Sequence, residues 1–258
     1  MPERLAKRLL LIGWDAADWQ MIQPLMDRGE MPVLKKFLEM GVRSNIATLN
    51  PILSPILWNS IATGKRADKH DILGFIEPDG KGHVRPVSST SRKAKAFWNI
   101  LSQNGLRSTI VNWFASYPAE RINGRIVTNR YEMSVEDREQ VCPLDERALH
   151  PWDMAEVLTQ LRVKRADISG EQAQMFISRL DEVVEKAPIF AEALTAVLSE
   201  CATVHNAATY LIEENDWDVM AVYYPTIDHF GHAFMEFHPP KMAHVTDLEF
   251  EILREVMD

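Results

Sequence analysis

An α/β fold, with a mostly parallel sheet covered by helices, is what the sequence predicts, and three observations carry it. Short apolar runs at 8–12, 108–114 and 217–224 read as buried strands, because continuous Leu, Ile and Val without alternation suit a strand covered on both faces. Stretches with helical spacing separate these runs, and β-α-β alternation gives parallel neighbours. The helical stretches stop at Gly29, Gly41, Asn104-Gly105 and Ala187-Pro188, where the backbone freedom of Gly or the missing N–H of Pro ends a helix.

The first run is closed by Gly13 and leaves Asp15 at the strand's carboxyl end, the edge where open α/β sheets place their ligand sites. Helices are expected at 19–26 and 32–40, the second opened by Pro32, and a short strand from Val42 leads to Asn50-Pro51. Ser54 followed by Pro55 has the pattern of an N-cap and a first helical position. The helix it starts points unpaired N–H groups and the positive end of its dipole at a neighbouring anion.

Residues 76–92 contain Pro78-Asp79-Gly80-Lys81-Gly82, a turn or small hairpin, and helix resumes over 93–103. Between 117 and 167 no regular period is sustained, only short pieces at 125–128 and 145–161. This stretch is read as a cap or insertion over the active-site mouth. Helical periodicity returns over 171–214, and the strand at 217–224 delivers Asp228 and His232 on a loop containing Gly231. A last helix is expected from about Lys241.

A chain of 258 residues with 46% apolar and 25% charged side chains is that of a globular protein with one large domain. The 37 acidic residues against 28 basic ones give a net charge of −9, which argues against a nucleic-acid or anionic-membrane surface. No signal-peptide pattern and no membrane-length apolar run is present, so the expected setting is the cytoplasm. Cys142 and Cys201 are too few for a disulfide framework or a thiolate metal site.

The chemistry lies in Asp15, Ser54, Asp228 and His232. Taken singly, Asp15 is a turn residue or helix cap, and Ser54 is a cap worth about 1 kcal/mol. Together they supply hard oxygen and imidazole donors suited to a divalent metal such as zinc, beside a hydroxyl that needs a metal or a base to become a nucleophile. His229 is expected to be structural or to support the metal ligands from behind, and His70 to position its loop.

The runs Leu9-Leu10-Leu11-Ile12-Gly13-Trp14-Asp15-Ala16, Pro51 to Gly64 with His70 following, and Tyr223 to His232 together resemble the alkaline phosphatase superfamily. The nearest branch is that of the type I phosphodiesterase/nucleotide pyrophosphatase-like phosphohydrolases. In that family the nucleophile stands ten positions before the Gly of a Thr-Gly pair, as Ser54 stands before Gly64. The resemblance implies a three-layer αβα sandwich and two divalent metal ions, zinc by preference, held by Asp15, Ser54, Asp228 and His232. It further implies hydrolysis of a small phosphate ester through a phosphoserine intermediate.

The sequence departs from that pattern in two places. Leu57 stands where the nucleotide pyrophosphatases carry an Asn, so a nucleotide is not the expected substrate, and no Asp-His-Gly segment follows His232. Residues 1–258 are therefore expected to be the N-terminal part of the catalytic domain, with weak metal binding or no turnover on their own. The alternatives are a phosphotransferase or phosphomutase of the same superfamily and a non-catalytic binding module. A sulfatase is disfavoured by the missing Arg after Ser54.

Overall fold

The computed structural model describes residues 6–132, 143–214 and 216–257. Its strands are β1 (Leu9–Trp14), β2 (Ile76–Pro78), β3 (Val84–Pro86), β4 (Ser108–Val111), β5 (Gly124–Val127), β6 (Leu149–His150) and β7 (Val219–Tyr224). Five form one sheet in the order β1-β7-β4-β5-β6, parallel except for β6, while β2 and β3 make the separate antiparallel hairpin expected over 76–92. Of the stretch 117–167 read as a cap, 124–127 and 149–150 are thus strands of the central sheet, and 133–142 lie outside the described residues together with Cys142.

The helices are α1 (Trp19–Asp27), α2 (Pro32–Met40), α3 (Ser54–Thr63), α4 (Ala67–His70), α5 (Phe97–Gln103), α6 (Ala155–Gln160), α7 (Gly170–Gln174), α8 (Leu180–Lys186), α9 (Pro188–Glu213), α10 (Thr226–Phe234) and α11 (Asp247–Leu253). The period-2 alternation of the strands divides the core into two layers. Ile110, Ile126, Ala221 and Tyr223 face Trp58 of α3 and Trp98 of α5. Val111, Val127, Met220 and Val222 face Leu158 of α6 and Val204 and Leu211 of α9. That is the three-layer αβα arrangement. A smaller apolar cluster joins α8, α9, α10 and α11 through Val183, Leu194, Phe234 and Leu253.

Several expectations need correction. The run 8–12 was expected to be buried on both faces, yet β1 is the sheet's edge, paired only with β7, and Leu9, Leu10, Ile12 and Trp14 are exposed. A strand's burial is set by what flanks it, and among the described residues no strand pairs with the outer edge of β1. No strand forms after Val42: residues 42–49 carry no regular structure, with Val42 94% and Ile46 88% exposed. An extended segment with no neighbour to pair its N–H and C=O groups is not a strand. The helix expected from 93 starts at Phe97, and the one expected from Lys241 is α11, opened at Thr246 by a capping box with Glu249.

Gly124 shows how tightly β5 is seated. Its φ is +136°, and a Cβ there would stand 2.0 Å from the Ser108 carbonyl oxygen on β4. Gly124→Ala is expected to destabilise the protein by at least about 1–3 kcal/mol, the cost of overpacking, with backbone strain in addition. Urea unfolding with an unchanged m-value checks it.

Candidate active site at the carboxyl edge of the sheet

Asp15 directly follows β1, and its backbone N–H continues the strand pairing by donating to the Tyr224 carbonyl at 3.0 Å. The residue is buried, with one carboxylate oxygen accepting the Tyr223 hydroxyl at 2.6 Å and the other the Ala16 N–H at 3.1 Å. Burial first, and then the Asp15 bond, push the Tyr223 hydroxyl far above the usual tyrosine range, so it stays a donor. Asp15 is thereby held in one orientation at the edge of the sheet.

Helix α3 crosses the same strand ends. The Trp58 ring packs edge-on against Tyr223 at 4.6 Å between centroids and lies over Gly13, where a Cβ would come within 2.4 Å of it. Gly13 is therefore needed for close approach. Ser54 is the first residue of α3 and was expected to cap it. The cap position instead belongs to Leu53, with extended backbone, and the Ser54 side chain makes no cap bond. Its hydroxyl has no structural duty at the helix start.

Asp228 and His232 were expected on a loop. They lie on α10, which Gly231 does not interrupt, because the chain turns helical directly after Pro225. Four residues apart on one face, they bring the His232 Nε2 to 3.6 Å from the Asp228 Oδ2, with His232 open to solvent. His229, on the neighbouring face, is bound through Nδ1 to Glu200 Oε2 of α9 at 2.8 Å, a bond that raises its pKa above the usual histidine value. Asp15 and Asp228 act electrostatically on the same two groups, Tyr223 and His229. The described contacts tie Asp15 to β7 and β7 to α10; Ser54 joins them through Trp58, with no direct contact to the other three.

Sequence reasoning missed the groups around this pair. Asn112, at the end of β4 with a left-handed φ of 59°, donates to Glu132 at 2.9 Å and to the Tyr223 carbonyl at 3.3 Å, while its own side-chain oxygen is buried without a partner. Burial, then the nearby Glu200, raise the Glu132 carboxyl well above the ordinary glutamate range. A polar residue closing an apolar strand at the same edge as Asp15 was the available signal for Asn112. Glu132 lies in a stretch without period and gave none.

The Glu132 shift has a sign that can be measured. A carboxyl whose folded pKa is raised favours the folded state while protonated, so this contribution is lost as pH rises from the ordinary glutamate range toward the raised value. Glu132→Gln is expected to remove the loss and to gain about 2–4 °C in Tm over wild type between pH 5 and pH 8, the change that about 1 kcal/mol gives in a chain of this size. Parallel pH profiles of thermal unfolding for the two proteins would show the assignment to be wrong.

His70 is buried, and its Nδ1 accepts the Ile72 N–H at 3.1 Å, which leaves Nε2 as the N–H facing Ser60 Oγ at 3.0 Å. Burial and Arg92 lower its pKa, so it is neutral and braces the loop after α3. Asp71 takes the left-handed turn, φ 64°, that a glycine would adopt more readily.

The donors match a divalent cation in kind: carboxylate from Asp15 and Asp228, imidazole from His232, hydroxyl from Ser54. They fall short in number, since among the described residues no three His, Cys, Asp or Glu side chains are placed to hold one ion. The Asp228–His232 pair is the most developed arm. No helix among the described residues is long and apolar enough to cross a membrane.

The family described as type I phosphodiesterase / nucleotide pyrophosphatase matches residues 9–248, and the chain belongs to it. Among solved structures it is similar to phosphonoacetate hydrolase from Sinorhizobium meliloti 1021 in complex with phosphonoformate, at 15% identity and a TM-score of 0.46 over 97% of this chain and 51% of that one. The same enzyme with phosphonoacetate matches at 15% identity and a TM-score of 0.48, over 86% of this chain and 47% of the other. The chain thus spans about half the length of these structures. No curated protein matches it.

Proposed function

We propose that the full-length protein hydrolyses phosphoric esters with two divalent metal ions, zinc by preference, through a phosphoserine at Ser54. The observation that supports this reading is a hydroxyl freed from capping at the first turn of α3, the helix whose Trp58, one turn further on, packs on Gly13 and Tyr223 beside Asp15. Family membership agrees with it.

Asp15, Ser54, Asp228 and His232 are the residues we assign to the metals. The cations, when bound, favour the ionised serine and neutralise the phosphoryl oxygens. Ser54 Oγ attacks phosphorus in line, forming the serine O–P bond as the bond to the ester oxygen breaks and the leaving group takes up a proton. Water then adds to phosphorus, the serine O–P bond breaks, and Ser54 regains its proton. Pro55 carries no N–H and the Ile56 N–H donates to the Leu53 carbonyl at 2.9 Å, so the α3 terminus offers a phosphoryl oxygen the Ser54 N–H and the positive end of the helix dipole. Tyr223 holds Asp15 in place, and the Glu200–His229 bond ties the first turn of α10 to α9.

The charge balance supports a metal. Asp15 and Asp228 with Glu200 nearby make the site repel a phosphate anion unless cations reverse its sign. The test is hydrolysis of bis(p-nitrophenyl) phosphate and p-nitrophenyl phosphate by the full-length protein before and after chelation, with quenched protein digested and analysed by mass spectrometry. Turnover should stop on chelation, return with zinc, and leave one phosphoryl group on the peptide that carries Ser54. Turnover indifferent to chelation, or a label on another residue, overturns the proposal.

A further inference from the structure

Helix α10 presents a second face beside the one that carries Asp228 and His232. Ile227 and Gly231 each precede one member of that pair by one residue, about 100° around the helix from it, while Phe230 lies about 160° from both, and the three wall a cavity of about 410 Å³. Its opposite wall begins with Ala16 and Ala17, the residues directly after Asp15. The cavity therefore lies beside the candidate site: Trp14 and Ala16 flank Asp15, and Ile227 and Gly231 precede Asp228 and His232, while none of the four candidate residues itself lines it.

Its chemistry is one-sided. Five lining residues are methionines, Met21, Met31, Met175, Met235 and Met257, and Phe176 and Phe230 pack ring to ring at 5.7 Å in its wall. Thioethers on flexible stems make an apolar surface that adapts to the shape of its occupant. The charged lining residues are Asp18 and Glu255, both acidic, and among the described residues no Lys, Arg or His lines it. A second phosphate or a carboxylate meets repulsion there and no donor cation. The volume falls in the range of small-ligand pockets.

We propose that this cavity receives the apolar substituent of the substrate, a hydrocarbon or aromatic group on the phosphorus or its ester oxygen. This rests on the phosphoric-ester reading above and narrows it to hydrophobic esters. Each methylene moved from water into such a surface strengthens binding several-fold. Affinity should therefore climb with chain length.

The experiment is calorimetric titration of the zinc-loaded full-length protein with methylphosphonate, phenylphosphonate and octylphosphonate, alongside initial rates for p-nitrophenyl methyl and octyl phosphates. Octylphosphonate and phenylphosphonate are expected to bind at least about tenfold more tightly than methylphosphonate. Met175 is 83% exposed, so Met175→Glu leaves folding intact; it should abolish that preference, and Met175→Leu should keep it.

Equal affinities for the three phosphonates overturn the proposal, as does an apolar preference that Met175→Glu leaves untouched. Turnover of both esters with no dependence on chain length also overturns it while leaving the phosphohydrolase reading in place. A preference in binding that responds to Met175→Glu, without turnover of either ester, supports the cavity and sinks the phosphohydrolase reading instead.

Discussion

Ser54→Ala is expected to lower turnover of an activated phosphodiester by at least about 10³-fold in the full-length protein, the scale on which losing a nucleophile acts. Stability should stay within about 0.5 kcal/mol of wild type. As the helix cap that the sequence pattern suggested, the serine would cost about 1 kcal/mol to remove. The structure takes that cost away, because Leu53 holds the cap position and the Ser54 side chain bonds no backbone N–H. Alanine is also the better helix former at a first helical position. Activity and stability are thus separated at this residue, and a kinetic assay with a thermal melt reads both. Turnover within tenfold of wild type would exclude Ser54 as the attacking group, and a large loss of stability would mean that the hydroxyl has a structural bond after all.

The layered fold was legible because its signals are local. Gly105 and Ala187-Pro188 stop helices wherever they stand, and α2 begins at the Pro32 that marked it. Continuous apolar runs found β4 and β7, whose side chains alternate between two helical layers. The same rule failed on β1 in one respect: Leu9 to Ile12 are apolar enough for a covered strand, while cover is a matter of neighbours that no run encodes. The segment after Val42 failed for the same reason, since a strand exists only when another pairs with it.

The site divides along a similar line. Asp15 and Ser54 announce themselves by standing at element ends. Tyr223 does not, because its hydroxyl reaches Asp15 only once β1 and β7 pair with Gly13 opposite Tyr223. Glu200, thirteen residues inside a 26-residue helix, is tied to His229 by tertiary packing alone. The loop assigned to Asp228 and His232 came from giving weight to Gly231, whereas a single glycine costs a helix only about 1 kcal/mol and α10 absorbs that.

That helix makes the second large effect testable. His232→Ala is expected to weaken zinc binding by about 100-fold or more and to reduce turnover at least in proportion, since loss of a mere supporting partner of a ligand already costs about 10–100-fold in metal affinity. The apo protein should melt as wild type does. The His232 side chain is 80% exposed and its 3.6 Å contact with Asp228 is a surface ion pair, worth about 0–1 kcal/mol. His229→Ala is the matched control, one helical face away: it breaks the 2.8 Å bond to Glu200, so it should lower the Tm of the apo protein while reducing zinc affinity less than His232→Ala. Calorimetric zinc titration and thermal melts of the three proteins separate the roles. If His229→Ala loses the metal and His232→Ala keeps it, the ligand is on the other face of α10, the one tied to α9, and the pairing of His232 with Asp228 is a surface contact only.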